Sequence, residues 1–202
     1  FTYEILDLNY SIEIPLEEAI KDLTKRAITS AKNKIVFLIL TDKNIKKGKI
    51  PIHALLATGA VHHALINNGL RTKVNIIVET ATARDSHHCA TLIGYGATAI
   101  YPYLAYQSLN SMILNKSNNN TEFFEATRNY RQGINKGLFK ILSKMGISTI
   151  ASYRGSQLFE CIGLNQEVVD LCFCDTINRL SGTTFDDLQK DQELLAKNTW
   201  SI

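Results

Sequence analysis

The first part of the chain alternates between helical spacing of apolar residues and continuous apolar runs. From Leu16 to Ala31 apolar side chains recur every three or four residues, and Pro15 lies where a helix would begin, so we predict an amphipathic helix there. The run from Ile35 to Leu40 is continuously apolar, which is typical of a strand buried on both faces. The polar segment from Lys43 to Lys49 is then predicted as a loop at the carboxyl end of that strand.

The same alternation continues through the middle of the chain. Pro51 is placed to open a helix that runs to Asn68, and Gly69 is a suitable residue to end it. The further predicted elements are a buried strand at Val74 to Glu79, a polar turn at Thr80 to Ser86, a short helix at His87 to Gly94, a short strand at Ala97 to Tyr101 and a helix at Tyr103 to Leu114.

The last third begins with a low-complexity segment, Lys116 to Thr121, which predicts an exposed loop. Helical spacing then returns from Phe123 to Met145 and ends at Gly146. The remaining predictions are a fourth strand at Ile147 to Ala151, helices at Gln157 to Ile162 and at Glu167 to Phe173, and a polar tail from Ser181.

Four strand-like runs, each followed by a helical pattern, predict an α/β fold with parallel strands. Four βα units make half of an eight-stranded barrel. The pattern is therefore compatible with an open, doubly wound sheet and with an incomplete barrel.

Composition limits the classes of protein that fit. The chain has 202 residues, 45% of them hydrophobic, which is enough for a substantial core. No apolar run reaches the roughly 18 residues that a membrane span requires, so we expect a soluble protein. The net charge of +3 comes from 22 basic and 19 acidic residues without a dense basic block, so no nucleic-acid partner is expected. Because residue 1 is Phe, we expect a fragment that lacks its true beginning.

The four cysteines, Cys89, Cys161, Cys172 and Cys174, are not spaced as C-x-x-C pairs. We predict free thiols in a reducing compartment. Cys172 and Cys174 lie two apart on a predicted helix and would point away from each other. The abundance of Ile, Lys and Asn is typical of an AT-rich coding sequence, which indicates an organelle or a low-GC bacterium as the source.

Two histidine pairs, His62-His63 and His87-His88, raise the question of a metal site. Adjacent residues on a helix point about 100° apart, so neither pair closes on one ion as an i, i+4 pair does. We therefore predict no metal ligands among them.

The turn Arg84-Asp85-Ser86-His87 follows a predicted strand, where α/β folds place ligand sites. Ser, His and Asp are all present, but a catalytic triad requires convergence from separate elements. Asp85 or Ser86 as the N-cap of the next helix is the favoured interpretation.

Two further segments resemble anion loops. Gly94-Tyr95-Gly96-Ala97 lies between a helix and a strand, the reverse of a phosphate loop, so we predict a tight turn. Ser152-Tyr153-Arg154-Gly155-Ser156 has the strand-to-helix order, and Arg154 with backbone donors there could hold an anion.

Lys136, Lys140 and Lys144 recur every four residues and form a basic stripe. A solvated helix face is the ordinary interpretation. The alternative is docking of an acidic protein, which would weaken steeply with added salt.

The order of segments resembles one known family. The segments are LTDKNIKKGKIPIHALLATGAVHHALINNGLRT, VNIIVETATARDSHHCATLIGYGATAIYPYLA, NYRQGINKGLFKILSKMGISTIASYRGSQLFECIGL and EVVDLCF. Together, from Leu16 to Leu188, they closely resemble the central domain of the large glutamate synthases. On this resemblance residues 1–188 form that domain, partial at its N-terminus, and residues 189–202 begin the connection to a flavin-binding barrel.

The resemblance implies a multidomain flavoenzyme that makes two glutamates from glutamine and 2-oxoglutarate. In that family an amidotransferase domain releases ammonia, and electrons arrive through FMN and a [3Fe–4S] cluster. The central domain joins the two catalytic parts and has an α/β topology similar to the barrel.

The resemblance carries over no catalytic, cofactor-binding or metal residue to this chain. The family's amidotransferase nucleophile is the first Cys of the mature protein, and residue 1 here is Phe. Cys161, Cys172 and Cys174 have the wrong spacing for the cluster. The FMN-binding motifs are expected beyond Ile202.

The resemblance also implies a partner and a location. We expect the ferredoxin-dependent type in the plastid stroma, with the NADPH-dependent type of the bacterial cytoplasm as the alternative. A non-catalytic structural domain on its own is a further alternative, and a free-standing enzyme of other chemistry is the least supported.

Overall fold

The computed structural model describes residues 1–114 and 120–200, with Asn120 described by its backbone alone. The strands within these residues are β1 (Tyr3–Asp7), β2 (Asn9–Ser11), β3 (Phe37–Thr41), β4 (Lys49–Pro51), β5 (Asn75–Glu79), β6 (Ala99–Tyr101), β7 (Glu160–Leu164) and β8 (Ile177–Thr183). The helices are α1 (Leu16–Lys32), α2 (Ala54–Asn67), α3 (Ser86–Gly94), α4 (Tyr103–Leu114), α5 (Asn120–Met145), α6 (Ile150–Tyr153), α7 (Gln166–Cys172) and α8 (Phe185–Trp200), with a 3₁₀ turn at Arg71–Lys73.

The main sheet has four parallel strands in the order β1-β3-β5-β6. Helices α1, α2 and α3 make the three crossovers between them, which is the repeated βα arrangement. The predicted α/β fold with parallel strands is therefore confirmed. Among the described residues the sheet is open rather than a closed barrel.

One face of this sheet is covered and the other is partly open. The covered face contributes fully buried residues to a core with α1 and α2, and these are Leu6, Leu38, Leu40, Ile76 and Val78. On the other face Ile5, Ile39 and Ile77 are paired in register. Ile5 is 58% exposed, and the other two are half-buried. The expectation that the strand at Ile35 to Leu40 is buried on both faces was therefore wrong for this second row.

Strand β1 was not predicted from the sequence. It pairs with β3 at the sheet edge, from Tyr3 opposite Phe37 to Asp7 opposite Thr41. Its exposed side chains, Tyr3 and Ile5, lie on the open face, so its burial pattern does not resemble that of the central strands.

The fourth strand predicted at Ile147 to Ala151 was wrong. Helix α5 ends before Gly146, whose φ is +69°, and Thr149 caps α6 by accepting a hydrogen bond from the Ser152 N–H at 3.3 Å. A threonine that offers its side chain to the backbone favours a cap over a strand. The β-branched residues of this segment therefore led to a strand prediction where the structure has the start of a helix.

The predicted helix at Gln157 to Ile162 was also wrong. Gln157 has a φ of +54°, which does not fit a helix start. The chain then extends into β7, which pairs in parallel with β8. The helix predicted at Glu167 to Phe173 is confirmed as α7, with Asn165 as its N-cap.

The polar tail predicted from Ser181 was wrong as well. Residues up to Thr183 belong to β8, and α8 follows directly. Thr184 accepts from the Asp187 N–H, while the Asp187 carboxylate accepts from the Thr184 N–H and hydroxyl. This reciprocal capping fixes the start of α8.

Several boundaries also differ from prediction. Pro51 ends β4, and the following helix begins at Ala54 with His53 as its cap. Lys49, predicted in a loop, pairs with Ser11 in the antiparallel β2–β4 ribbon. Residues 116–119 of the predicted loop lie outside the described residues, and Asn120–Thr121 already belong to α5.

Across residues 1–114 and 120–200, no helix has the length and apolar character needed to cross a membrane.

Candidate functional site

The carboxyl edge of the parallel sheet is the position where α/β folds usually bind ligands. Asp42 follows β3 there and is 3% exposed. Its carboxylate accepts hydrogen bonds from the Thr80 hydroxyl and from the Ala81 N–H, the latter at 3.0 Å and 3.2 Å to the two oxygens. The Asp42 carboxylate thus ties the loop after β3 to the loop after β5.

Glu79, at the end of β5, is engaged in the same way. It accepts a hydrogen bond from the Thr41 hydroxyl at 2.6 Å, and its carboxylate lies 3.6 Å from Lys43 Nζ. The Lys43 ammonium also lies 5.8 Å from the centre of the Tyr103 ring. Burial, and then the Asp42 charge, raise the pKa of the Tyr103 hydroxyl. Both carboxylates of this edge therefore bind groups of their own domain.

The turn from Arg84 to His87 forms a helix cap, as predicted. Asp85 is the N-cap of α3, and its Oδ1 accepts from the His88 N–H at 2.9 Å. That hydrogen bond lowers the pKa of the Asp85 carboxyl. The Ser86 hydroxyl donates to the Ile134 carbonyl of α5 at 3.3 Å. Because Ser86 faces α5 and Asp85 faces the helix backbone, the turn does not form a triad.

A second polar centre lies at the opposite edge of the sheet, near the amino end of β5. It is a cleft of about 550 Å³, which we call the His62 cleft. Its polar walls include His62, His63, Arg71, Arg154 and Asp175. A stacked pair of rings, Tyr95 and Phe159 with centroids 5.5 Å apart, forms an apolar wall.

Arg71 organises this cleft. Its Nε donates to Nδ1 of His62 at 2.8 Å, its Nη1 to the Val74 carbonyl at 2.6 Å and its Nη2 to the Gly96 carbonyl at 2.8 Å. Burial, then the Arg71 charge, then His63 and Arg154, lower the pKa of His62 to about 3. His62 is therefore neutral at physiological pH, with Nδ1 as an acceptor.

The Gly94 to Ala97 segment is the tight turn that was predicted. Gly96 has a φ of +116°, and any Cβ on it would overlap the His62 ring. The Gly96 N–H donates to the Ile93 carbonyl at 3.0 Å, and the Ala97 N–H to the Leu92 carbonyl at 2.9 Å. Glycine is needed at residue 96 for both its conformation and the space it leaves.

The predicted strand-to-helix order around Arg154 was wrong. Residues Ser152 and Tyr153 end the four-residue α6, and irregular chain at residues 156–159 leads into β7. Arg154 is therefore followed by β7 rather than by the N-terminus of a helix. Its side chain nevertheless lines the His62 cleft, and its buried Nε has no hydrogen-bond partner among the described residues.

The histidine pairs do not converge on a common point. The His62 and His63 rings are nearly perpendicular, with centroids 5.2 Å apart. In the part of the chain that the structure describes, no three His, Cys, Asp or Glu side chains are grouped to hold a metal ion. The absence of metal ligands itself stays a prediction.

All four cysteines are free thiols, as predicted. Three are buried, and burial raises the pKa of Cys89 to about 11. Cys174 lies beyond the end of α7 rather than on the same helix as Cys172, which corrects the sequence prediction. Raised thiol pKa values disfavour the thiolate that a metal or a nucleophilic reaction needs.

The basic stripe of α5 is exposed at Lys136, Lys140 and Lys144, as a solvated helix face predicts. No carboxylate of the described residues pairs with these lysines at 4.0 Å or less. The docking alternative stays a hypothesis.

Sequence reasoning missed Asp42, Glu79 and Arg71 as organising residues. The first two had a usable signal, because each ends or follows a predicted strand and parallel strands end at one edge of a sheet. Arg71 had none, because its three acceptors come from residues 62, 74 and 96, which only the fold brings together.

The chain is similar to one known protein family. The family model described as glutamate synthase central domain matches residues 1–165. Glutamate synthase (NADH) of Schizosaccharomyces pombe is 38% identical over 174 residues, covering 86% of this chain and 8% of that protein. Glutamate synthase (NADPH) large chain of Bacillus subtilis is 42% identical over 178 residues, covering 88% and 12%. Ferredoxin-dependent glutamate synthase 1, chloroplastic/mitochondrial, of Arabidopsis thaliana is 40% identical over 200 residues, covering 92% and 12%.

Among solved structures, a flavocytochrome b2 variant with benzoylformate matches with a TM-score of 0.52 and 13% identity, covering 66% of this chain and 31% of that chain. At this identity the likeness concerns the fold alone. The chain spans between 8% and 12% of the length of the three glutamate synthases above. Because the family model covers most of its residues, the chain belongs to the glutamate synthase central-domain family.

Proposed function

We propose that this chain is part of a ferredoxin-dependent glutamate synthase, which makes two L-glutamates from L-glutamine and 2-oxoglutarate. The observation that carries the proposal is the match of the central-domain family model to residues 1–165. The Arabidopsis ferredoxin-dependent relative matches over 92% of the chain, the largest share of the three relatives described. The AT-rich bias of the sequence is in keeping with a plastid genome.

Within that enzyme the chain is a scaffold between an amidotransferase and a flavin-binding domain. The carboxyl edge of the sheet supports this role, because Asp42 and Glu79 are used to hold its own loops together. A ligand site at this edge would require those hydrogen bonds to be broken. Residues 1–188 would form the central domain and residues 189–202 the start of the connection to the barrel.

The cofactors of the full enzyme, FMN and a [3Fe–4S] cluster, are proposed to bind outside this chain. A cluster requires converging cysteine thiolates, and the described residues offer no group of three such ligands. The Asp42 and Glu79 carboxylates at the sheet edge would repel a flavin phosphate. The carboxyl edge of the sheet therefore does not fit a flavin phosphate, and the described residues do not fit the cluster.

The NADPH-dependent enzyme is the alternative, since the Bacillus subtilis relative is 42% identical. The two alternatives imply different locations, a plastid stroma for the first and a bacterial cytoplasm for the second. Ferredoxin is the partner in the first case alone.

The test is an assay of the full-length protein that contains this chain. Glutamate formation from glutamine and 2-oxoglutarate is measured with reduced ferredoxin, NADPH and NADH in parallel. We expect glutamate with reduced ferredoxin only. Formation with NADPH would replace the proposal by its alternative, and no glutamate with any donor would contradict both.

A further inference from the structure

The His62 cleft contains a guanidinium group, that of Arg154, with a donor that the described residues leave unsatisfied. Among the described residues, Arg154 forms no ion pair within 4.0 Å, and its buried Nε has no hydrogen-bond partner. Arg71 in the same cleft uses Nε, Nη1 and Nη2 for internal hydrogen bonds. A buried N–H donor without an acceptor is costly, so the half-buried Arg154 side chain is the group in this cleft that would gain from an external acceptor.

His62 supplies a second donor beside Arg154. Because its Nδ1 accepts from Arg71 Nε, the neutral ring carries its proton on Nε2. That nitrogen faces Gly155, since a Cβ added to this glycine would lie 3.9 Å from it. Gly155 directly follows Arg154, both His62 and Arg154 line the cleft, and the Arg154 charge contributes to the lowered pKa of His62.

The charges around the cleft favour an anion. Two guanidinium groups line it, at Arg71 and Arg154, against one carboxylate, Asp175. Asn67, Asn75 and Thr176 add neutral polar groups to the wall. At about 550 Å³ the cleft is large enough for a small organic anion.

We propose that the His62 cleft binds a small oxyanion, a phosphate or a carboxylate, between the Arg154 guanidinium and the His62 Nε2–H. Both anions offer the paired oxygens that a guanidinium binds with two parallel hydrogen bonds. This site lies at the amino edge of the sheet, apart from the Asp42 and Glu79 edge, and is independent of the proposed glutamate synthase activity.

The test is equilibrium dialysis of the full-length protein against radiolabelled inorganic phosphate, with succinate as a competitor and potassium chloride holding the ionic strength constant. The wild-type protein is compared with Arg154→Gln. The matched control is Lys136→Gln, which removes the same charge from the exposed face of α5. Arg154→Lys keeps the charge but loses the planar fork and provides a second variant if Arg154→Gln does not fold.

We expect Arg154→Gln to weaken phosphate binding by roughly tenfold or more, because a charge-assisted hydrogen bond is lost. Arg154→Lys should weaken it by a smaller factor, and Lys136→Gln should leave it within about twofold of the wild type. Displacement of phosphate by succinate would identify a site for carboxylates, and its absence a site specific for phosphate. No phosphate binding by the wild type at about 10 mM, or equal binding by wild type and both Arg154 variants, would overturn the proposal.

Discussion

Arg71 donates a hydrogen bond from its Nε to Nδ1 of His62 over 2.8 Å, and this contact joins α2 to the turn that precedes β5. The same guanidinium binds the carbonyl of Gly96, which begins the approach to β6. One side chain thus links three successive βα units at the amino edge of the sheet. The link requires His62 to remain an acceptor, and hence neutral.

The neutrality of His62 predicts a pH-dependent stability. Its pKa is about 3 in the folded protein, below the ordinary value of 6.5. Between these values the unfolded state binds the proton and the folded state does not, so stability falls as the pH falls from 6.5 toward 3. From about pH 7 to pH 5 this residue accounts for a loss of about 2 kcal/mol in unfolding free energy.

Chemical denaturation of wild type and His62→Gln at pH 7 and pH 5 checks this prediction. The variant should lose less stability over that interval, by about the amount above. His87→Gln, an exposed histidine of α3, is the control and should keep the wild-type pH dependence. Identical pH dependence in His62→Gln and wild type would show that His62 is not held neutral.

Gly59 lies at a close contact between α2 and α7, which predicts that a larger residue there is destabilising. It lies on α2, and a Cβ there would overlap the Cys172 carbonyl oxygen at the end of α7. Because a backbone atom cannot move aside easily, Gly59→Ala should destabilise the protein by about 1–3 kcal/mol or more. Gly133→Ala on α5 would place a Cβ with no atom within 4 Å of it, and should instead stabilise by about 0.5–1 kcal/mol.

Thermal and urea unfolding of the two glycine variants measure these changes. Both substitutions are chemically identical and both are in helices, so the difference between them reports the contact with α7. A neutral or stabilising effect of Gly59→Ala would mean that α2 and α7 do not approach as closely as described.

We predict that the Asp42 carboxylate stabilises the fold through its hydrogen bonds at the carboxyl edge of the sheet. Asp42→Asn replaces one acceptor oxygen by an amide donor that faces the Ala81 N–H or the Thr80 hydroxyl. Leaving such buried donors unsatisfied should lower the unfolding free energy by about 1–3 kcal/mol. Asp22→Asn on the exposed face of α1 breaks only a surface ion pair with Arg26 and should change it by about 0.5 kcal/mol or less.

Urea denaturation of Asp42→Asn and Asp22→Asn decides whether the carboxylate stabilises the fold. If Asp42→Asn were as stable as the wild type, the edge would not depend on this carboxylate. The scaffold interpretation of the sheet edge would then lose its main structural support.

The sequence was sufficient to locate the two central strands, although not the half-burial of their second face. The runs at Ile35 to Leu40 and Val74 to Glu79 were predicted as strands because they alternate little and lie between polar turns. The segment at Ile147 to Ala151 has a similar composition, but a Thr149 cap made it the start of a helix. The hydrogen bonds of the cap outweighed the strand preference of the β-branched residues. The propensities of single residues do not include such hydrogen bonds.

The sites were less predictable than the fold. The Asp85 cap and the turn at Gly96 were predicted because both depend on neighbouring residues. Arg71 binds the Gly96 carbonyl 25 residues away, and Asp42 binds groups 38 and 39 residues away, so these roles follow only from strand order. Arg154 was considered for an anion site, but on a strand-to-helix order that the structure does not have.

The scaffold role is the central claim of this account, and optical spectroscopy tests it most directly. Circular dichroism first shows whether the purified 202-residue chain is folded. The chain is then incubated with FMN and desalted, and its absorbance in the flavin region reports bound FMN. Ammonia release from added glutamine is measured on the same sample. We predict an α/β spectrum with neither flavin absorbance nor ammonia release from glutamine. Retention of stoichiometric FMN by the folded chain would contradict the account, because it would place a redox centre within this domain.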